Sequence, residues 1–183
     1  MTRTKHGKFT SYRYVAAGVY DGELKTLSRA LRAGDLSVVG RAADILSPLV
    51  GDVRCIVPMP SRNGRPNAVN ALCEAVSSRT GLPVVNALGT RSERVSMCDA
   101  KRALRNKTAA RLPYPEELMM FRKSDAEAGS AVIIDNVIAS GTTAVAALDA
   151  LGGENDESFV LVLADDYRYE KITTFNNIKI SKV

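Results

Sequence analysis

The chain reads as an α/β protein, a single domain with a parallel sheet flanked by helices, and three observations lead there. Short apolar runs of strand length alternate with stretches of helical periodicity, the order that builds a parallel sheet with helices on its faces. Two of the runs, Ala131-Val132-Ile133-Ile134 and Ser158 to Ala164, are apolar without alternation, as strands covered on both faces are. The 183 residues, 45% apolar and 25% charged, suffice for one sizeable core and a soluble surface.

In chain order, Glu23 to Ala33 sets Leu24, Leu27 and Leu31 on one helical face and stops at Gly34. Residues 37–47 predict a second helix ending before Pro48. Val53 to Pro58 is a buried strand between Gly51-Asp52 and the Pro58/Pro60 pair, followed by a stiff loop from Met59 to Arg65. Pro66 suits the first turn of a helix in which Val69, Leu72, Cys73 and Val76 share a face and which Gly81 closes. Pro83 to Leu88 predicts a further strand. Residues 91–111 predict a basic, weakly helical arm expected to be mobile. The alanine-rich stretch Thr143 to Leu151 is a helix ended by Gly152-Gly153, and Ile172 to Val183 is an edge strand or a loose tail. Residues 1–10 are expected to be flexible.

Composition excludes several classes of function. The apolar stretches fall far short of the roughly 20 residues a membrane-spanning helix needs. The basic N-terminus is not followed by a long apolar run with a cleavage site, so a cytoplasmic location is expected. Cys55, Cys73 and Cys98 are odd in number and widely spaced, which suits neither a disulfide framework nor a zinc site and leaves buried or incidental thiols. His6, the single histidine, lies in the expected tail, which argues against a histidine base or a multi-histidine metal site.

The net charge of +5 is unevenly placed. Residues 1–13 hold Arg3, Lys5, Lys8 and Arg13 with no acid, and residues 91–111 hold seven basic residues against Glu93 and Asp99, so the remainder of the chain is acidic. Such localised positive fields favour a polyanionic partner, either a phosphorylated small molecule or a nucleic acid, and charge alone does not choose between them.

The chemistry concentrates in Ile133-Ile134-Asp135-Asn136-Val137-Ile138-Ala139-Ser140-Gly141-Thr142-Thr143, which the pattern sets at the carboxyl end of a strand, where open α/β sheets bind ligands. A glycine flanked by hydroxyls lets backbone N–H groups approach a phosphate, and the helix behind it turns its positive end to the same anion. Ser140, Thr142 and Thr143 add hydroxyl donors. Asp135 can accept hydrogen bonds from vicinal ribose hydroxyls with charge-assisted strength, and Asn136 can do similar work without the charge.

These eleven residues resemble the phosphoribosyl pyrophosphate signature of the type I phosphoribosyltransferases: an apolar strand, two acids, two apolar residues, then a small-Ser/Thr-Gly-x-Thr loop. Asn136 departs from the pattern, which usually has its second acid there. The rest of the chain, roughly residues 12–165, is similar to the ComF-like branch of that family through Tyr20-Asp21-Gly22-Glu23-Leu24-Lys25, Arg32-Ala33-Gly34-Asp35, Val57-Pro58-Met59-Pro60-Ser61-Arg62, and Arg91-Ser92-Glu93-Arg94 with Arg105-Asn106. The cysteine-rich zinc element that precedes the domain in many ComF proteins has no counterpart in these residues.

The resemblance implies transfer of a phosphoribosyl group between phosphoribosyl pyrophosphate and a nitrogenous base through a cation-like sugar. Mg²⁺ would be held through the substrate's oxygens near Asp135, without a dedicated protein cage. It assigns Ala139, Ser140, Gly141, Thr142 and Thr143 to the 5-phosphate, and Asp135 with Asn136 to the ribose. Pro60, Ser61 and Arg62 go to the pyrophosphate, and Arg94 or Lys101, brought in by the basic arm, would share that group and exclude water. A small hood, from the N-terminal segment and the loop after the last strand, would receive the base, with Tyr12, Tyr14, Tyr20, Phe121 and Tyr167 as aromatics available to stack. Asp165-Asp166, after the last central strand, would approach the base or its metal. Type I relatives are often dimers, so a homodimer stays open.

Two rival readings stand beside this one. A catalytically weak or inactive binding protein would keep the sugar-phosphate site as a sensor, or would use the basic segments 1–13 and 91–111 on nucleic acid. A different α/β phosphate binder would need a Gly-x-x-x-x-Gly-Lys-Ser/Thr loop or a Gly-x-Gly-x-x-Gly fingerprint, and the sequence has neither.

Overall fold

The computed structural model describes residues 12–61, 67–91, 97–109, 114–123, 129–152, 157–168 and 176–177. Five strands form the main sheet: β1 (Arg13–Val19), β2 (Cys55–Pro58), β5 (Ala131–Ile138), β6 (Phe159–Asp165) and β7 (Asn176–Asn177). Their order is β2-β5-β6-β1-β7 and every pairing is parallel. A separate antiparallel pair joins β3 (Leu88–Thr90) to β4 (Met120–Arg122). The helices are α1 (Gly22–Ala33), α2 (Val39–Leu46), α3 (Ala68–Thr80), α4 (Met97–Arg105) and α5 (Thr142–Leu151). The parallel sheet flanked by helices is the architecture the sequence predicts.

The two continuous apolar runs become the centre of the sheet. Ile133 and Ile134 of β5 and Leu161 and Leu163 of β6 are fully buried, because helices cover both faces. α1, α2 and α3 pack on the sheet and on one another, while α5 packs on β5, β6 and the β3–β4 pair. Burying each such side chain contributes about 1.5–3 kcal/mol, which makes β5 and β6 the most firmly held part of the molecule.

Local chemistry sets the helix ends. Asp21 caps α1 by accepting from the Gly22 N–H, and Gly34 closes it. Asn67 and Asn70 form a reciprocal capping box at the start of α3. At the far end of α3, Arg79 donates to the Asp44 carboxylate at 2.8 Å and to the Gly40 carbonyl at 3.1 Å, tying α3 to α2.

The structure departs from the sequence expectations in two places and agrees with them in two others. Arg13–Val19 is an interior strand of the sheet, so the N-terminal segment expected as a hood enters the fold at Arg13; residues 1–11 lie outside the described residues. Pro83 to Leu88 is not one strand. Val84 makes a single parallel bridge to Ile56, flanked by Ile56 N–H to the Pro83 carbonyl and Val85 N–H to the Ile56 carbonyl, and Leu88 then opens β3. α2 ends at Leu46, before Pro48 as expected, and a 3₁₀ turn at Ser47–Leu49 follows it. Asparagines 176 and 177 pair with β1 at the end of the sheet, so this part of the C-terminal stretch takes the edge-strand reading of its two.

Candidate functional site

Because the main strands all run one way, their carboxyl ends share one edge. Hydrogen bonds tie those ends together: Met59 N–H to the Ile134 carbonyl at 3.0 Å, Asp166 N–H to the Ile138 carbonyl at 2.8 Å, and Tyr20 N–H to the Asp165 carbonyl at 2.9 Å. The loop between β5 and α5 emerges from the middle of this edge.

In that loop Gly141 has φ +84°, in the left-handed region that side chains other than glycine enter at a cost. Gly141 is the N-cap of α5, and no side chain caps the helix there. Gly141 has no side chain to cap the backbone N–H groups of the first turn, which carry the helix's partial positive charge. The flanking hydroxyls engage each other instead, Ser140 Oγ and Thr142 Oγ1 lying 3.0 Å apart, and both residues are buried.

The loop walls an open-mouthed pocket of about 330 Å³, solvent at the mouth included. Asp135, Ala139 to Thr143 and Lys101 line it, and Val160 and Val162 of β6 lie beneath. Asp135 shares its face of the sheet with its register partner Val162. The pocket thus combines an anion-binding helix end, a cation and a carboxylate. That set suits a ligand with a phosphate at one end and hydroxyls beside it.

Of the predicted site residues, the structure brings Asp135, Ala139, Ser140, Gly141, Thr142, Thr143 and Lys101 into this one pocket. Lys101 arrives on α4, the helix within the basic arm. Pro60 and Ser61 follow β2 on the neighbouring loop, where the Ser61 carbonyl accepts from Thr90 Oγ1 at 3.3 Å; they do not line the pocket. Asn136 is turned away. Alternation along β5 puts its side chain on the opposite face from Asp135, where its amide reaches the Ser28 carbonyl of α1. Arg62 and Arg94 lie outside the described residues.

The acidic pair after β6 divides in two. Asp165 is buried and accepts from the Tyr14 hydroxyl at 2.6 Å. Asp166 takes a bidentate ion pair from Arg168 at 2.7 and 2.8 Å, and Arg168 also stacks over the Tyr20 ring at 5.7 Å. The Arg168 hydrogen bonds hold the Asp166 carboxyl below the usual carboxylate range, with a smaller contribution from the charge of Lys101. Lys101 of α4 thus shares the pocket with Val160 and Val162 of β6 as well as with the loop. Sequence reading gave Asp166 no such partner, because Arg168 follows it by two residues in a turn whose path no periodicity announces.

Cys55 and Cys73 are buried and neither is in a disulfide, and burial pushes both thiols up. Among the described residues no three His, Cys, Asp or Glu side chains gather as a metal cage, and no helix is long and apolar enough to cross a membrane.

No protein-family model and no curated protein matches the chain. Several solved structures are similar to it in fold. One is an orotate phosphoribosyltransferase from Aeropyrum pernix, 20% identical, with a TM-score of 0.41; the match covers 75% of this chain and 64% of that one. Another is an adenine phosphoribosyltransferase from Trypanosoma brucei in complex with AMP, pyrophosphate and ribose-5-phosphate, 14% identical, covering 95% of this chain and 85% of that one, with a TM-score of 0.41. An adenine phosphoribosyltransferase from Leishmania tarentolae is 14% identical over 85% of this chain and 84% of that one, with a TM-score of 0.38. At these scores the likenesses carry no argument about chemistry.

Proposed function

We propose that the chain is a phosphoribosyltransferase that binds phosphoribosyl pyrophosphate with Mg²⁺ at the β5–α5 loop and transfers the phosphoribosyl group to or from a nitrogenous base. The observation that carries this reading is the pocket itself. Gly141 at φ +84° opens an uncapped helix N-terminus, and Asp135 and Lys101 line the same space.

The 5-phosphate would sit on the backbone N–H groups of the first turn of α5, with the Ser140 and Thr142 hydroxyls turning from each other to donate to it. Asp135 would accept from the ribose hydroxyls and hold the sugar while positive charge develops on it. Lys101 would meet the departing pyrophosphate as negative charge grows there. One carboxylate beside hydroxyls is the donor set for a hard cation carried mainly by substrate oxygens, and Mg²⁺ when bound would neutralise pyrophosphate charge. No residue here needs to act as a proton-transferring base, which fits a chain whose single histidine is His6.

A second reading, binding without transfer, draws support from Asn136. Its side chain is engaged on the α1 face, so Asp135 is the carboxylate that lines the pocket. Calorimetric titration with phosphoribosyl pyrophosphate and Mg²⁺, beside Asp135→Ala and Gly141→Trp and a pyrophosphate-release assay over a panel of bases, separates the two. Binding lost in the variants, with release for some base, establishes the transferase. Binding without release favours the sensor, and no binding sinks the site.

A further inference from the structure

We infer that Asn136 is a positioning residue, the middle link of a relay running from Ser28 of α1 to the carboxylate of Asp135; its assignment to phosphoribosyl chemistry rests on the function proposed above. Ser28 and Asn136 exchange two hydrogen bonds between the helix and β5. Ser28 Oγ donates to the Asn136 carbonyl, and Asn136 Nδ2 donates to the Ser28 carbonyl, each at 3.4 Å. Both are long and singly weak. Made reciprocally on a serine that is 1% exposed, they hold residue 136 against α1 by both its carbonyl and its side chain. The backbone N–H of the same residue, in the peptide unit on its other side, donates to Asp135 Oδ1 at 2.7 Å. The carboxylate facing the pocket is thus aimed from the other side of the sheet.

The relay explains the chemistry of position 136. The Ser28 carbonyl only accepts, so the group facing it must donate, which an amide does and a carboxylate does not. Aspartate at this position would set its charge against a carbonyl dipole and beside the charge of Asp135. Asn136→Asp, the nearest change in shape, is therefore expected to weaken the site even though it adds an acid.

The test uses Asn136→Asp and, as a milder variant that deletes only the hydroxyl link, Ser28→Ala. Two readouts are taken on the full chain: the NMR shift of the residue-136 backbone amide proton, which reports the bond to Asp135, and calorimetric affinity for phosphoribosyl pyrophosphate with Mg²⁺. The inference expects the amide proton to move upfield in both variants. It expects affinity to fall about tenfold in Ser28→Ala, the scale of one hydrogen bond, and further in Asn136→Asp. An amide resonance unmoved in the well-folded Ser28→Ala protein, or affinity undiminished in Asn136→Asp, overturns it. If wild type binds no phosphoribosyl pyrophosphate while the amide resonance moves in both variants, the functional reading fails and the relay stands, serving another ligand.

Discussion

Gly141 bears both on folding and on binding. Its φ of +84° means that Gly141→Ala costs about 1–2 kcal/mol in the folded state. The strain falls on the loop proposed to hold the phosphate, so affinity for phosphoribosyl pyrophosphate should drop as well; urea unfolding and calorimetry on one sample check both. Asp166 gives a pH signature. Its carboxyl lies below the usual range because Arg168 holds it, so the pair stabilises the fold fully above the unfolded carboxyl value of about 3.9 and is lost as pH falls through the lower folded value. The stability gap between wild type and Arg168→Met should stay constant from neutral pH to about 5 and narrow as pH falls below the unfolded carboxyl value. Its size should be under about 1 kcal/mol, because Arg168 is largely exposed. At this scale the geometry of the β5–α5 loop was legible, since Gly141, its flanking hydroxyls and Asp135 do come to line one pocket. The facing of Asn136 was harder to read, because it depends on which helix lies behind the strand.

Caps and glycines decide the elements. Asn67 satisfies the Val69 and Asn70 N–H groups at the start of α3, so Asn67→Ala should cost about 1 kcal/mol and lower the melting midpoint with little change in ligand affinity, as paired melting and binding curves would show. Most helices could be read from apolar spacing and glycine stops. β1 could not, because Ala16-Ala17-Gly18 lacks the branched and aromatic residues that mark strands. Tertiary packing supplies the reason for Gly18: a Cβ there would lie 2.7 Å from the Leu24 Cδ1, so the bare backbone lets α1 close on the sheet. β3 and β4 were missed for a similar reason. Each is three residues long, and Gly89 of β3 is covered by the Phe121 ring of β4, a pairing that only the fold brings about.

The whole molecule should open as one unit, because its buried thiols sit in the shared core. With Cys98→Ser as background, Cys55 and Cys73 are the remaining thiols, both buried. They should react with a thiol reagent only through global unfolding, both at one rate. Leu161→Ala, removing a fully buried side chain from β6, should cost about 2–5 kcal/mol and speed both labelling rates together. Fast labelling of one thiol alone would show that its region opens independently. The α/β architecture was legible at this scale because continuous apolar strands and amphipathic helices leave few alternatives. The strand order was not, since it depends on pairings between residues far apart in sequence.

That β1 lies between β6 and β7 also orders events in time. Tyr14 finds its neighbour in Val160, and Arg13 finds its other in Asn176. A ribosome releases β1 long before either of its partners. Until β6 emerges β1 lacks both neighbours, and closing a loop of that length is slow. The sheet is completed only once β6 has been made, with β1 kept from wrong partners until then. The alanines and glycine that hid β1 as a strand also make it a weak template for stray pairing while it waits.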